Sequence, residues 1–389
     1  MLSLFNWLIR VLRAIDWPLF LIVACLSGVG LLVMQSAVGG TDWRYADQSR
    51  YFVVALVVMW LVALVPPEWL SRMAPAMYAV ALVLLVGVMF FGETSKGATR
   101  WLNLGFVRLQ PSEIMKIALP LFLAWYFFQR EGKRNPLDYL VAMLIVAVPF
   151  VLIVSQPDLG TALLVAAAGF FVMYFAGLSF KLLLPVALAG VVGIGAVLVY
   201  EETLCAPETD WVVLHDYQKN RVCTLLDPTK DPLGRGFHTI QSTIAVGSGG
   251  LYGRGYMEGT QAQLDFVPER TTDFIFAVFA EEFGLYGSIS LLFLFLLLIV
   301  RGLVIAARAP NSFARLAAGS LTLVLFVYVF VNIGMVIGIL PVVGVPLPFF
   351  SYGGTALLTL AVAIGVLMSL SGHRPVVEGN SSRTGLGKP

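Results

Sequence analysis

The chain has 389 residues, 59% of them hydrophobic and 12% charged, with a mean hydropathy of +0.87. That composition excludes an ordinary soluble domain, and the apolar runs are too long for core helices, so the sequence reads as a polytopic membrane protein. A formal net charge of +2 says little by itself; where the charges fall says more.

The first residues, MLSLFNWLIRVLRAIDWPLF, lack a small-residue cleavage site and read as an interfacial amphipathic lead-in. About ten transmembrane helices follow, near 17–34, 51–66, 73–91, 112–128, 138–155, 160–177, 180–200, 272–300, 315–338 and 350–370. The predicted fold is therefore an all-α polytopic integral membrane protein, with a large extracytoplasmic loop (201–271) between the seventh and eighth spans. The eighth span is over-long, which predicts that it begins above or at the membrane edge. Residues 1–371 form one transmembrane domain and 372–389 a polar, disordered cytoplasmic tail. One set of flanks carries thirteen Lys and Arg, Arg72, Arg130, Arg134 and Arg301 among them. The short loops of the other side carry five, Arg44, Arg50, Lys96, Arg100 and Arg108. By the positive-inside rule both termini are cytoplasmic and the loops 92–111, 201–271 and 339–350 face outward.

Chemistry concentrates in those outward loops. Lys96–Lys116, KGATRWLNLGFVRLQPSEIMK, sets Lys96, Arg100 and Arg108 beside Trp101, a combination suited to a phosphate-bearing lipid head group. The plainer reading is a membrane-belt Trp with snorkelling cations. Pro111-Ser112-Glu113 reads as a helix start, with Glu113 and Lys116 three apart on one face, the spacing of a buried ion pair. Gln156-Pro157-Asp158-Leu159-Gly160 is a tight turn whose Asp158 either caps the next helix or faces the outer cavity. In the long loop, Cys205 and Cys223 would meet an oxidising compartment, where a disulfide or two free thiols are both open. The same loop carries Arg221 and the run Val246–Gly250, whose amides could meet an anion.

The densest stretch is Pro268–Gly284, PERTTDFIFAVFAEEFG, which crowds Glu269, Asp273, Glu281 and Glu282 together where the chain enters the membrane. Burying an ionised carboxylate there is costly, so the cluster points to function. Read as a helix from about Thr272, it puts Asp273, Ala277, Ala280, Glu281 and Gly284 on one face, a groove wall of acids and small residues. Helix capping by Thr272 or Asp273 is the bland alternative. The last outward loop, LPVVGVPLPFFSYGG, is rich in proline, and non-helical backbone at that depth lines a cavity; Ser351 lies within it. Three scattered histidines and three cysteines give no metal-ligand cluster.

KGATRWLNLGFVRLQPSE, QPDLGTA, HDYQKNRV, GRGFHTIQSTIAVGSGGL, PERTTDFIFAVFAEE and LPVVGVPLPFFSYGG occur in this order over nearly the whole chain. Together they resemble the SEDS family (shape, elongation, division and sporulation), and PERTTDFIF and LPVVGVPLP are closer to its elongation branch than to its division branch. The stretch EETLCAPETDW (201–211) departs from the family pattern in length and in its cysteine. The resemblance implies a peptidoglycan glycosyltransferase at the outer face of the bacterial cytoplasmic (inner) membrane, polymerising lipid II during cell elongation. It implies Asp273 as the essential acid, Trp101 as a second sensitive position and Glu113 with Lys116 as the paired charges. It also implies partners: a class B penicillin-binding protein (the cross-linking transpeptidase) and other membrane proteins of the elongation complex, with no nucleic acid.

Chain growth needs an acceptor hydroxyl to attack an anomeric carbon whose leaving group is a lipid diphosphate. A carboxylate within hydrogen-bond reach of that hydroxyl serves as general base, the role expected of Asp273. The leaving diphosphate needs cations, from Arg100, Arg108, Arg221 and Arg270 or from a divalent ion such as Mg or Mn. A lipid II flippase and a non-catalytic scaffold for the transpeptidase are the rival readings. Transporters place their charges near the midplane within repeated halves, whereas here the charges gather at the outward edge and no repeat is visible.

Overall fold

The computed structural model describes residues 15–40, 42–95, 98–103, 105, 108–206, 209, 216–230, 236–260 and 269–372. The N-terminal lead-in up to Ala14, Lys96 and the tail beyond Gly372 lie outside the described residues. The helices are α1 (Trp17–Ala37), α2 (Trp43–Ala63), α3 (Pro67–Phe91), α4 (Pro111–Gln129), α5 (Pro136–Ser155), α6 (Leu159–Phe175), α7 (Phe180–Val199), α8 (Glu201–Leu204), α9 (Asp216–Leu226), α10 (Phe237–Ser248), α11 (Ile275–Ala307), α12 (Ser312–Val336) and α13 (Gly354–Gly372). Between α3 and α4 runs a small antiparallel sheet, β1 (Glu93–Ser95), β2 (Ala98–Asn103) and β3 (Arg108–Leu109), ordered β1-β2-β3. Among the described residues seven helices are long and apolar enough to cross a membrane: α1, α2, α3, α5, α11, α12 and α13. Helix α6 is a shorter apolar helix, and α4 opens on the polar residues Ser112, Glu113 and Lys116.

Local sequence sets the helix starts. Proline occupies the first turn of α1, α3, α4 and α5, where its missing N–H costs nothing. The side chains of Asp16, Asp158 and Asn311 accept the free amides at the starts of α1, α6 and α12. Helix α12 lies at the centre, packed against α11, α6 and α4, while α13 packs on α2. Small residues allow that closeness: a Cβ on Gly302 would meet Thr322 Oγ1 at 2.3 Å, and one on Gly365 the Met59 carbonyl at 2.6 Å. The apolar side chains left exposed, such as Val83, Phe90 and Leu144, suit lipid.

The over-long eighth span is two arms. Gly284 (φ 64°, ψ −160°) breaks α11, and the segment after α10 stitches the break. Arg254 and Gly255 donate their amides to the Glu281 and Glu282 carbonyls at 3.0 and 3.1 Å. Leu285 and Tyr286 donate theirs to Gly250 and Leu251 at 2.9 and 3.2 Å. The fit requires glycine on both sides, since a Cβ on Gly253 would lie 2.0 Å from the Glu282 carbonyl.

Three sequence expectations are corrected here. Helix α11 begins at Ile275 rather than near Thr272, so Asp273 precedes it. The face expected as a groove wall is a packed seam: Ala277, Ala280, Glu281 and Gly284 are buried. The Glu281 carboxylate accepts from Thr260 at 3.1 Å and Ser248 at 3.4 Å and stands 3.9 Å from Arg254. Likewise the run Val246–Gly250 does not present an open loop: α10 extends to Ser248, and Gly249 packs against the Ala280 carbonyl. Cys205 and Cys223 are joined in a disulfide that ties the segment after α7 to α9.

At the end of the bundle away from this seam, Asp16 gathers three elements. Arg301 of α11 donates to both its oxygens (2.9 and 2.6 Å), and Ser371 of α13 donates at 2.7 Å. Burial raises the Asp16 pKa, but the bonds from Arg301, Ser371 and the Leu19 amide outweigh it and hold it below the ordinary value. A carboxylate with a lowered folded pKa adds stability above its unfolded pKa of about 4, and that contribution is lost as pH falls through the lowered value. Asp16→Asn should cost about 2 kcal/mol, read as a lower melting temperature at pH 7 in detergent, with the gap to wild type narrowing in acid. Gly284→Ala should cost on the order of 1–3 kcal/mol in the same assay, because it strains the backbone and collides with the Gly253 amide.

Candidate functional site

Asp273 sits in a turn, Glu269–Phe274, that is held from outside by three successive carbonyls. The Thr271 carbonyl accepts the Tyr352 amide at 2.8 Å. The Thr272 carbonyl accepts the Ser351 hydroxyl at 2.6 Å, and that of Asp273 accepts the Asn332 amide at 2.9 Å. Ser351 in turn accepts the Leu347 amide at 2.8 Å, and Gln48 of α2 donates to the Ser351 carbonyl at 3.1 Å. The proline-rich loop 339–353 is thereby bound to the turn, as non-helical backbone at that depth requires. A Cβ built on Gly344 of this loop would stand 3.5 Å from Asp273 Oδ2, so the carboxylate lies beside the loop's glycine. On the other side the His238 ring of α10 stacks on Phe274, centroids 5.8 Å apart. Burial lowers the His238 pKa, partly opposed by Glu269.

The sheet loop and the start of α6 reach the same loop. Asp158 caps α6 through the Thr161 amide at 3.3 Å and also accepts from Gln110 at 3.1 Å. Arg100 stands 3.7 Å from Asp158 and donates to the Pro157 carbonyl at 3.3 Å. Asp158 thus caps the next helix, one of the two readings the sequence left open, and its side chain is buried between that helix start, Gln110 and Arg100. A Cβ on Gly160 would meet the Val343 carbonyl at 2.7 Å, which brings the Asp158 turn against the loop that flanks Asp273. Trp101 lies in β2, paired with Glu93, and Arg108 reaches Glu93 at 3.5 Å with most of its side chain in solvent.

Beneath this surface Lys116 lies 2.5 Å from Glu113 and hydrogen-bonds the Tyr328 hydroxyl, all three buried. A buried ion pair of this kind survives only with added hydrogen bonds, and Tyr328 supplies one. Arg270 donates to the Ala37 carbonyl at the end of α1, and burial, with Arg44 nearby, lowers its pKa. Glu269 accepts from Thr272 at 3.0 Å. Arg221 sits on α9 beside the disulfide. The structure therefore gathers Asp273, Glu269, Arg270 and Ser351 around one turn, with Arg100 and Asp158 across the loop. Glu113 and Lys116 lie below, and Glu281 belongs to the helix seam.

Three contributors escaped the sequence reading: Tyr328, Asn332 and His238. A lone Asn inside the apolar run VFVNIGMV is a signal, since a polar side chain there needs a partner. Nothing in spacing indicates which partner. Among the described residues no group of three or more His, Cys, Asp or Glu could hold a metal ion.

The comparisons with known proteins agree with this architecture. The profile of the FtsW/RodA/SpoVE family, described as cell cycle proteins, matches residues 17–375. The chain is 48% identical over 364 residues to the Escherichia coli protein named peptidoglycan glycosyltransferase MrdB, covering 94% of this chain and 95% of that one. It superposes with TM-score 0.75 and 33% identity on a chain solved in a peptidoglycan synthase complex that coordinates polymerization and crosslinking, covering 92% of this chain and 97% of that one. It superposes with TM-score 0.67 and 28% identity on the Thermus thermophilus rod shape determining protein RodA, covering 92% and 96%. With the family profile matched over nearly its whole length, the chain belongs to the FtsW/RodA/SpoVE, or SEDS, family.

Proposed function

We propose that this protein is a peptidoglycan glycosyltransferase that polymerises lipid II into glycan strands at the outer face of the cytoplasmic membrane, with Asp273 as general base. The observation that carries the activity is the match along nearly the whole chain to a relative bearing that name. The observation that supports Asp273 is the three-carbonyl clamp on its turn, which holds the backbone that carries the carboxylate.

In the proposed reaction the acceptor sugar hydroxyl approaches Asp273 and its oxygen attacks the anomeric carbon of the donor. The C–O bond to the lipid diphosphate breaks, the diphosphate departs with the electron pair, and the hydroxyl proton passes to the Asp273 carboxylate. Direct displacement inverts the anomeric centre. Arg108, mostly in solvent and only loosely paired with Glu93, is the cation freest to turn toward the diphosphate; Arg100 is held by Asp158. The described residues offer no cage for the expected divalent cation. An Mg or Mn ion at this site would arrive on the phosphate oxygens of the substrate, and no step above depends on it.

The proposal includes ten crossings, formed by α1 to α7 and α11 to α13, as a single unit over residues 1–371. It sets both termini in the cytoplasm, with the segment between α7 and α11 outside. It also includes a class B penicillin-binding protein as partner, in line with the synthase complex that the chain resembles.

Asp273→Asn should keep expression and melting temperature and lower lipid II polymerisation by about 10²- to 10⁴-fold, measured on purified protein with and without the transpeptidase. Wild-type rates in that variant would move the chemistry elsewhere; lipid II translocation without polymer in either protein would favour a flippase. EDTA should suppress polymerisation, and added Mg or Mn should restore it, if the ion travels with the diphosphate. An undiminished rate in EDTA removes the metal from the proposal.

A further inference from the structure

Asn332 is fully buried in α12, and its amide nitrogen makes two bonds that leave the helix: to the Asp273 carbonyl at 2.9 Å and to the Val345 carbonyl at 2.8 Å. Both partners are acceptors, so only the NH₂ end of the side chain can face them. Holding them leaves Asn332 Oδ1 buried with no hydrogen-bond donor among the described residues. A buried acceptor without a donor costs free energy, so the side chain turns its two donors to the carbonyls at the expense of its own oxygen. The two carbonyls belong to the two segments that bracket the Asp273 carboxylate, the turn itself and the loop that contains Gly344. One turn earlier on the same helix face, Tyr328 holds Lys116 of the buried Glu113–Lys116 pair. Consecutive turns of α12 thus grip the ion pair and the Asp273 turn.

We propose that Asn332 is a positioning residue for Asp273: its amide sets the distance between the Asp273 turn and the 343–345 loop, and through Tyr328 the same helix ties that distance to the Glu113–Lys116 pair. The inference rests on Asp273 being the base. Asn332 touches no substrate and moves no proton. Its loss lets the carboxylate drift, which affects the chemical step more than the capture of a lipid substrate.

The test compares initial rates of lipid II polymerisation by full-length purified Asn332→Ala, Asn332→Asp, Asp273→Asn and Ser320→Ala proteins. Asn332→Asp keeps the volume and removes the donor pair, and it carries the test should the alanine variant fail to fold. Ser320 is equally buried on α12 and donates to the Ala168 carbonyl at 2.8 Å, away from the turn, so its loss is the matched structural control. The expected result is a kcat lowered by about 10- to 100-fold in the Asn332 variants, the cost of a misplaced catalytic group, with KM within about twofold of wild type. Ser320→Ala should retain its kcat whatever its melting temperature does. A wild-type kcat in a folded Asn332 variant, or an equal loss in Ser320→Ala, overturns the positioning role while leaving an inactive Asp273→Asn to support the base. A fully active Asp273→Asn removes both readings together.

Discussion

Unwound backbone inside a membrane protein must find its hydrogen-bond partners within the protein, because hydrocarbon offers none. That constraint shapes three irregular segments among the described residues. Where α11 breaks at Gly284, the carbonyls and amides on both sides of the break are met by the segment 250–255. Where the chain turns before α11, the carbonyls of Thr271, Thr272 and Asp273 are met by Tyr352, Ser351 and Asn332. The loop 339–353 is held in turn by Gln48 and Asn332. Satisfying the backbone and fixing the site are one set of bonds.

A general base of the kind proposed for Asp273 needs a fixed geometry more than a strong pair, and the turn that carries Asp273 is held in layers. Packed helices α4, α6, α11 and α12 provide the rigid frame. The Glu113–Lys116–Tyr328 network lies within that frame, where Lys116 joins Glu113 of its own helix to Tyr328 of α12. Above it the Asp273 turn rests on α12 through Asn332 and on the last loop through Ser351. The Asp16 cluster performs a comparable service at the other end, binding α1, α11 and α13 at one point. The bundle is thus pinned at both ends, and the proposed base, Asp273, belongs to the outward one in the proposed topology.

Much of the fold was legible from sequence because membrane helices are written in long apolar runs. The helix start at Pro111 and the capping by Asp158 follow from rules that operate within a few residues. The i, i+3 pairing of Glu113 with Lys116 is equally local. Reading an unbroken helix from about Thr272 through Gly284 failed for a physical reason. Periodicity assumes unbroken geometry, yet the helix begins only at Ile275 and Gly284 interrupts it, so Glu281 faces Ser248 and Thr260 instead of a groove. The glycine run after α10 failed the same way: glycine signals close approach, and here the object approached is a neighbouring helix carbonyl.

The sequence by itself determined the class of molecule, the order of its apolar helices and the kinship, and it singled out Asp273 as the candidate acid, because hydropathy, capping and motif order are properties of neighbours along the chain. Only the tertiary structure decided which polar groups meet. Asn332 and Asp273 are 59 positions apart, Ser36 and Glu282 are 246, and Asp16 and Ser371 are 355. Contacts at such separations are fixed by how helices pack, since packing sets which buried donor lies opposite which buried acceptor.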